Sequence, residues 1–156
     1  MPIKDLLVHV DAGVAAPARV ELGVSLARTH GAHLTGIHVL SLPPIPSYVL
    51  PQLPQSVLDM QLRSLEEESE RLKAMFHAKC DAGGVNSEWR QVRGDTAEAV
   101  ELHSRYSDCV LIGQASKDDP GDDLSEEMPE DLALHVGRPV LIVPCYGSFS
   151  KIGDRV

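Results

Sequence analysis

Asp11 closes a short apolar run, Leu6-Leu7-Val8-His9-Val10, where a carboxylate can either contact a bound ligand or cap the following turn. His9 and His38 lie inside two such runs. Side by side, and joined by Asp11, they would form a metal-binding set; otherwise they are core imidazoles with hydrogen-bonded nitrogens. Residues 118–131 carry Asp118, Asp119, Asp122, Asp123, Glu126, Glu127, Glu130 and Asp131 without a single Lys or Arg. Their oxygens are hard ligands suited to Ca2+, but the spacing is not that of an EF-hand loop, and a solvated loop is the plainer reading. Asp95 and Glu98 fit a helix cap better than an acid–base pair. No G-x-S-x-G elbow is present. Cys80, Cys109 and Cys145 are odd in number and lack C-x-x-C spacing, so they read as free thiols in a reducing cytosol. No catalytic residue and no metal site are expected.

Whole-chain quantities narrow the classes further. The 156 residues suit one domain, and 23 acids against 14 bases give a net charge of −9, nearly all of it in the acidic segment. An acid excess opposes nucleic acid or an anionic membrane as partner, since both need a basic face. At 43% apolar but 4% aromatic, the core must be aliphatic. No apolar stretch is long enough to span a bilayer. Lys4, Asp5, His9 and Asp11 interrupt the place where a secretion signal would need an apolar run, so a cytoplasmic location is expected.

The elements that must position these residues alternate in type. Leu6–Val10, His33–Leu40 and Cys109–Gly113 read as strands buried on both faces. Asn86–Arg93 reads as a charged edge strand anchored by Trp89, and Pro139–Pro144 as the last strand. Val20, Val24 and Ala27 mark a helix of roughly 14 residues stopped by Gly31. Ser41–Gln55, with Pro43, Pro44, Pro46, Pro51 and Pro54, is an extended loop. Ser56 and Asp59 resemble a capping box for a long helix faced by Leu58, Leu62, Leu65, Leu72 and Phe76 and ended by Gly83-Gly84. Asp95 caps a third helix, with Ala99, Leu102 and Tyr106 expected to face inward, and a short helix runs from about Pro129 to Val136. The alternation predicts an α/β fold: a doubly wound, five-stranded parallel sheet with helices on both faces, Rossmann-like. Ligands in such sheets bind beyond the carboxyl ends of the strands, here Asp11–Gly13 and Gly113–Ser116.

In order and spacing these pieces resemble the universal stress protein family. Leu6–Asp11 is similar to the family's first strand and its Asp, and Gly36-Ile37-His38-Val39 to its second strand. Gly94-Asp95-Thr96-Ala97-Glu98-Ala99 resembles its GDPAEAI helix start. Asp108–Gly113 and Gly137–Val143 resemble its D-L-I-V-M-G and CPVLVV strands. ATP-binding members carry Gly-x2-Gly-x9-Gly-[Ser/Thr] after the fourth strand. Counted from Gly113, the second glycine is Ser116 here and the Gly-[Ser/Thr] pair falls on Glu126-Glu127. A phosphate loop needs small residues and a neutral or positive field, and this one is acidic.

The resemblance therefore implies a stress-response domain acting by dimerisation or domain packing, with a degenerate ATP site, no cofactor and no enzymatic activity. Its family-equivalent nucleotide positions are Asp11, Val39, Gly113 and Ser116. The alternative is an ATP-binding stress protein with an altered phosphate loop that uses these four residues in a changed geometry. A third class is an acidic interaction or cation-binding module. The expected partner is a second copy, either as a homodimer or as a fused repeat. Residues 1–146 form the domain. Residues 147–156 are either a polar tail or the start of a second repeat, since Ile152–Val156 resembles Ile3–Leu7.

Overall fold

Strand β1 (Asp5–His9) is built of residues that tolerate burial on both faces, and four of its five side chains are buried. A computed structural model describes residues 2–42, 45–122, 124–149 and 151–152. After β1 come α1 (Ala16–His30), β2 (His33–Leu40), α2 (Gln55–Gly83), β3 (Ser87–Arg93), α3 (Thr96–Ser104), β4 (Cys109–Gly113), α4 (Met128–His135) and β5 (Val140–Val143). The strands pair in the order β3-β2-β1-β4-β5, and every pairing is parallel. The expected doubly wound five-stranded α/β sheet is the fold observed.

The sheet separates two cores. On one face Leu6, Val8, Val10 and Leu34 meet Val20, Val24 and Ala27 of α1 and Phe76 and Cys80 of α2. On the other, Leu7, Ile37, Val39, Val110 and Ile112 meet Ala99 and Val100 of α3 and Leu132 and Val136 beside α4. The strand period of two sends alternate residues to opposite faces, which is how one apolar strand feeds both cores. Helix α1 stops at Gly31, whose φ of 63° suits the left-handed cap, with its amide bonded back to Arg28. Asp108 joins the starts of the central strands by accepting the amides of Lys4 (2.8 Å) and Asp5 (3.1 Å).

Three local expectations are corrected. Ser56 and Asp59 do not cap α2: the helix starts at Gln55 behind Pro54 and has no side-chain cap, so Ser56 already lies inside the first turn. Leu58, Leu62 and Leu65 are only half-buried. At 29 residues, α2 is about 43 Å long, whereas the eight residues of β2 span about 26 Å, so the helix overhangs the sheet. Leu102 (54% exposed) and Tyr106 (76%) face outward. The buried arc of α3 is Thr96, Ala99, Val100 and Ser104; Leu102 lies off it, and Tyr106 lies beyond the helix end. The cap itself is as expected, with Asp95 accepting the Glu98 amide at 3.0 Å. The Pro43-Pro44 step and Gly153–Val156, on which much of the expected second-repeat start falls, lie outside the described residues.

Candidate functional site

The chain winds outward from β1 to β2 and β3, then crosses back to β4 and β5. Its topological switch point is therefore the crevice between the carboxyl ends of β1 and β4, where open α/β sheets bind ligands. Asp11 and Gly113 both reach this crevice, and they meet at a residue that sequence reading missed.

That residue is Arg19, from the first turn of α1. Its Nε donates to the His9 carbonyl (2.8 Å), and its Nη2 pairs with Asp11 Oδ1 (3.0 Å), with each side chain 3% exposed. A Cβ on residue 113 would overlap Arg19 Nη1. Gly113 thus leaves open the space that an arginine of the same chain occupies. Asp11 Oδ1 also accepts the Gly13 amide at 3.0 Å, so it caps the turn and holds the cation. An arginine in an exposed-looking first helical turn carries no periodic signal. Only the buried Asp11 eight residues earlier could have pointed to it.

His9 is wholly buried, with Nδ1 3.7 Å from Asp11 Oδ2. Burial, then the charges of Arg19 and His38, hold its proton affinity well below the ordinary histidine value, which favours the neutral ring. His38 donates its Nδ1–H to the Val10 carbonyl (2.7 Å) and stacks on Trp89 at 6.0 Å. His9 pairs in register with Ile37, so the two imidazoles point to opposite faces of the sheet. They cannot form a joint metal site. Among the described residues, no group of three His, Cys, Asp or Glu is placed to hold a metal ion.

The acidic loop folds across the crevice. Asp119 Oδ2 accepts the amide of Val14 (2.6 Å), in the β1–α1 loop, and its Oδ1 accepts that of Gly121 (3.0 Å). Asp122 Oδ2 accepts the amide of Ser116 (2.5 Å), and its Oδ1 that of Leu124 (2.9 Å). Gly121 sits so close to the Ala12 carbonyl that a Cβ there would overlap it. Burial, with a further push from Asp11, raises the proton affinity of Asp122 against the pull of these amides and Arg19. The expected solvated loop describes Asp118, Glu126 and Glu127, which are exposed, but not Asp119 and Asp122. Asp123 lies outside the described residues.

The four nucleotide-equivalent positions are therefore only partly brought together. Asp11 and Gly113 converge on Arg19, and Ser116 offers an amide that Asp122 occupies. The Val39 side chain is buried in the core beside Ile37. A hollow of about 390 Å³ beyond β4 and β5 is lined by Gln114, Glu126 and Glu130, an acidic setting ill suited to phosphate.

The model of the universal stress protein family matches residues 2–144. The chain belongs to the universal stress protein family. No curated protein matches it. Among solved structures it is similar to a universal stress protein of Burkholderia pseudomallei, with 23% identity, a TM-score of 0.69, and coverage of 91% of this chain and 96% of that one. A universal stress protein of Archaeoglobus fulgidus in complex with dAMP is 14% identical, with a TM-score of 0.61 and coverage of 91% and 98%. Another, from Archaeoglobus fulgidus DSM 4304, is 15% identical with a TM-score of 0.66; 89% of this chain covers 48% of that one. At these identities the likeness shows the universal stress protein fold alone.

Proposed function

We propose that this universal stress protein domain is not an enzyme, binds no cofactor, and acts by pairing with a second copy while leaving ATP unbound in the phosphate-loop mode. The observation that carries this reading is the filled crevice. Arg19 lies over Gly113, and Asp119 and Asp122 take the Val14 and Ser116 amides that would otherwise face an anion. Carboxylates held at those amides repel phosphate as well as replacing it.

The two sheet edges differ in a way that supports pairing at β5. Edge strand β3 is guarded by Glu88, Arg90 and Arg93, which are held in ion pairs. Edge strand β5 is Val-Leu-Ile-Val, with Ile142 exposed and Leu134 (80% exposed) and Tyr146 (75%) presented nearby in the chain. An apolar unpaired edge is a template for a second copy. A fused copy would serve equally, and the Archaeoglobus chain of which this one covers 48% is long enough to hold two such units. Sedimentation velocity tests the pairing: the wild-type chain should run as a dimer and Ile142→Lys as a monomer. A monomeric wild type would refute self-association through β5.

The second reading is nucleotide binding with an altered loop, favoured by the dAMP complex of the Archaeoglobus neighbour. Acid extraction of the purified protein separates the two. Recovery of near-stoichiometric adenine nucleotide supports the second reading, and its absence supports the first.

A further inference from the structure

We propose that the hollow beneath the overhanging start of α2 binds a small amphipathic cation, an apolar chain that ends in one ammonium group. Ser69 of α2 donates to Gln91 (2.7 Å), two residues before β3 ends at Arg93, so the turns ahead of Ser69 project past the sheet. A hollow of about 680 Å³ opens there. Leu62 and Leu65 of α2 wall it on one side, and Leu40 and Leu42, at and beyond the end of β2, on the other. Arg93 and Asp95 complete its edge. Small-molecule sites have this size and this largely apolar lining with a few polar groups. The hollow is separate from the switch point. It lies at the ends of β2 and β3, whereas the crevice lies between β1 and β4. Strand alternation sends Leu40 to the α2 face with Gly36, which packs under Phe76, and Val39 to the opposite core.

Charge decides the head group. Arg93 Nη2 donates to Glu66 Oε1 (2.7 Å), which ties the sheet end to the helix and cancels the guanidinium's charge at the rim. Asp95 is left in surplus. Its Oδ1 accepts the Glu98 amide as the cap of α3, and a carboxylate has a second oxygen to offer. The hollow thus sets four leucines beside one uncancelled negative charge, on a chain of net charge −9. An ammonium complements that field, while a carboxylate would meet repulsion from both Asp95 and Glu66. The apolar tail gains by leaving water against the leucines.

The test titrates decylammonium chloride, below its micellar concentration, into the full chain and follows the methyl NMR signals of Leu62 and Leu65. Sodium decanoate supplies the same tail with the opposite charge, and ethylammonium the head without the tail. Decylammonium should saturate and bind about tenfold or more tightly than decanoate, and ethylammonium should leave the methyl signals in place. Asp95→Asn keeps an acceptor for the α3 cap but removes the charge, and should weaken decylammonium about fivefold. Arg93→Gln releases Glu66 and should tighten it by about the same factor. Glu127→Gln removes an exposed charge that does not line the hollow and should change nothing. Equal affinity for decanoate, an equal loss in Glu127→Gln, or methyl signals that do not move would each overturn the proposal. None of these outcomes bears on the switch-point crevice.

Discussion

Asp11 and Arg19 are each 3% exposed in their side chains and lie 3.0 Å apart. Removing one partner of such a pair strands the other in low dielectric. Arg19→Met is expected to cost about 3–5 kcal/mol, and Asp11→Asn with Arg19→Met to recover most of that loss, in chemical denaturation. An additive double variant would show that the two side chains do not act as a pair. His9 sets a pH dependence of definite sign. Above its unfolded value of about 6.5 the ring is neutral in both states. Below that value the unfolded chain takes up a proton that burial, Arg19 and His38 deny the folded one, so stability falls as pH falls toward the depressed folded value. An NMR titration in which His9 moves through an ordinary midpoint near 6.5 would contradict this. At this scale the sequence was only half legible. Asp11 stood out because it ended an apolar run, but its two possible duties could not be separated without seeing Arg19. A buried arginine looks the same in sequence as a solvated one, and Asp119 looks the same as Asp118 until the loop closes on Val14.

Elements whose burial is uniform were the easiest to read. His33–Leu40 forms β2 with the expected bounds because both its faces are covered, so no choice of face had to be made. Helix α3 shows the converse. Its start was clear from Asp95 and Glu98, and Ala99 faces inward as expected, but Leu102 does not, because small Thr96, Ala99 and Ser104 pack against the protein in its place. Size was a poor guide where the helix sits close to its neighbours. The misplaced cap of α2 has a similar origin: Pro54 fixes the chain ahead of the helix, and Gln55 enters it before Ser56 can serve. The observed cap gives a direct prediction. Asp95→Ala should lower stability by about 1 kcal/mol in chemical denaturation, and Asp95→Asn by less, since either acceptor can serve the Glu98 amide. Equal losses for both would mean that the carboxylate's charge, rather than its hydrogen bond, supports the helix.

For the whole molecule, the parallel sheet and its switch point follow from alternation alone, and the family follows from five short motifs in the right order. What alternation could not show is how the net charge of −9 is spent. The acidic segment is more than a soluble exterior, since Asp119 and Asp122 turn inward and satisfy amides on both sides of the crevice. The family framework is retained, and the acidic loop is bonded to the β1–α1 loop across its switch point. No helix among the described residues is long and apolar enough to cross a membrane. Under the proposed function, the exposed β5 edge is the surface that would meet a second copy. All of this depends on the crevice being closed to nucleotide. Titrating the wild-type chain with Mg-ATP at neutral pH tests that point most directly. The account predicts no saturable heat up to about 1 mM ligand, and a dissociation constant in the micromolar range would contradict it.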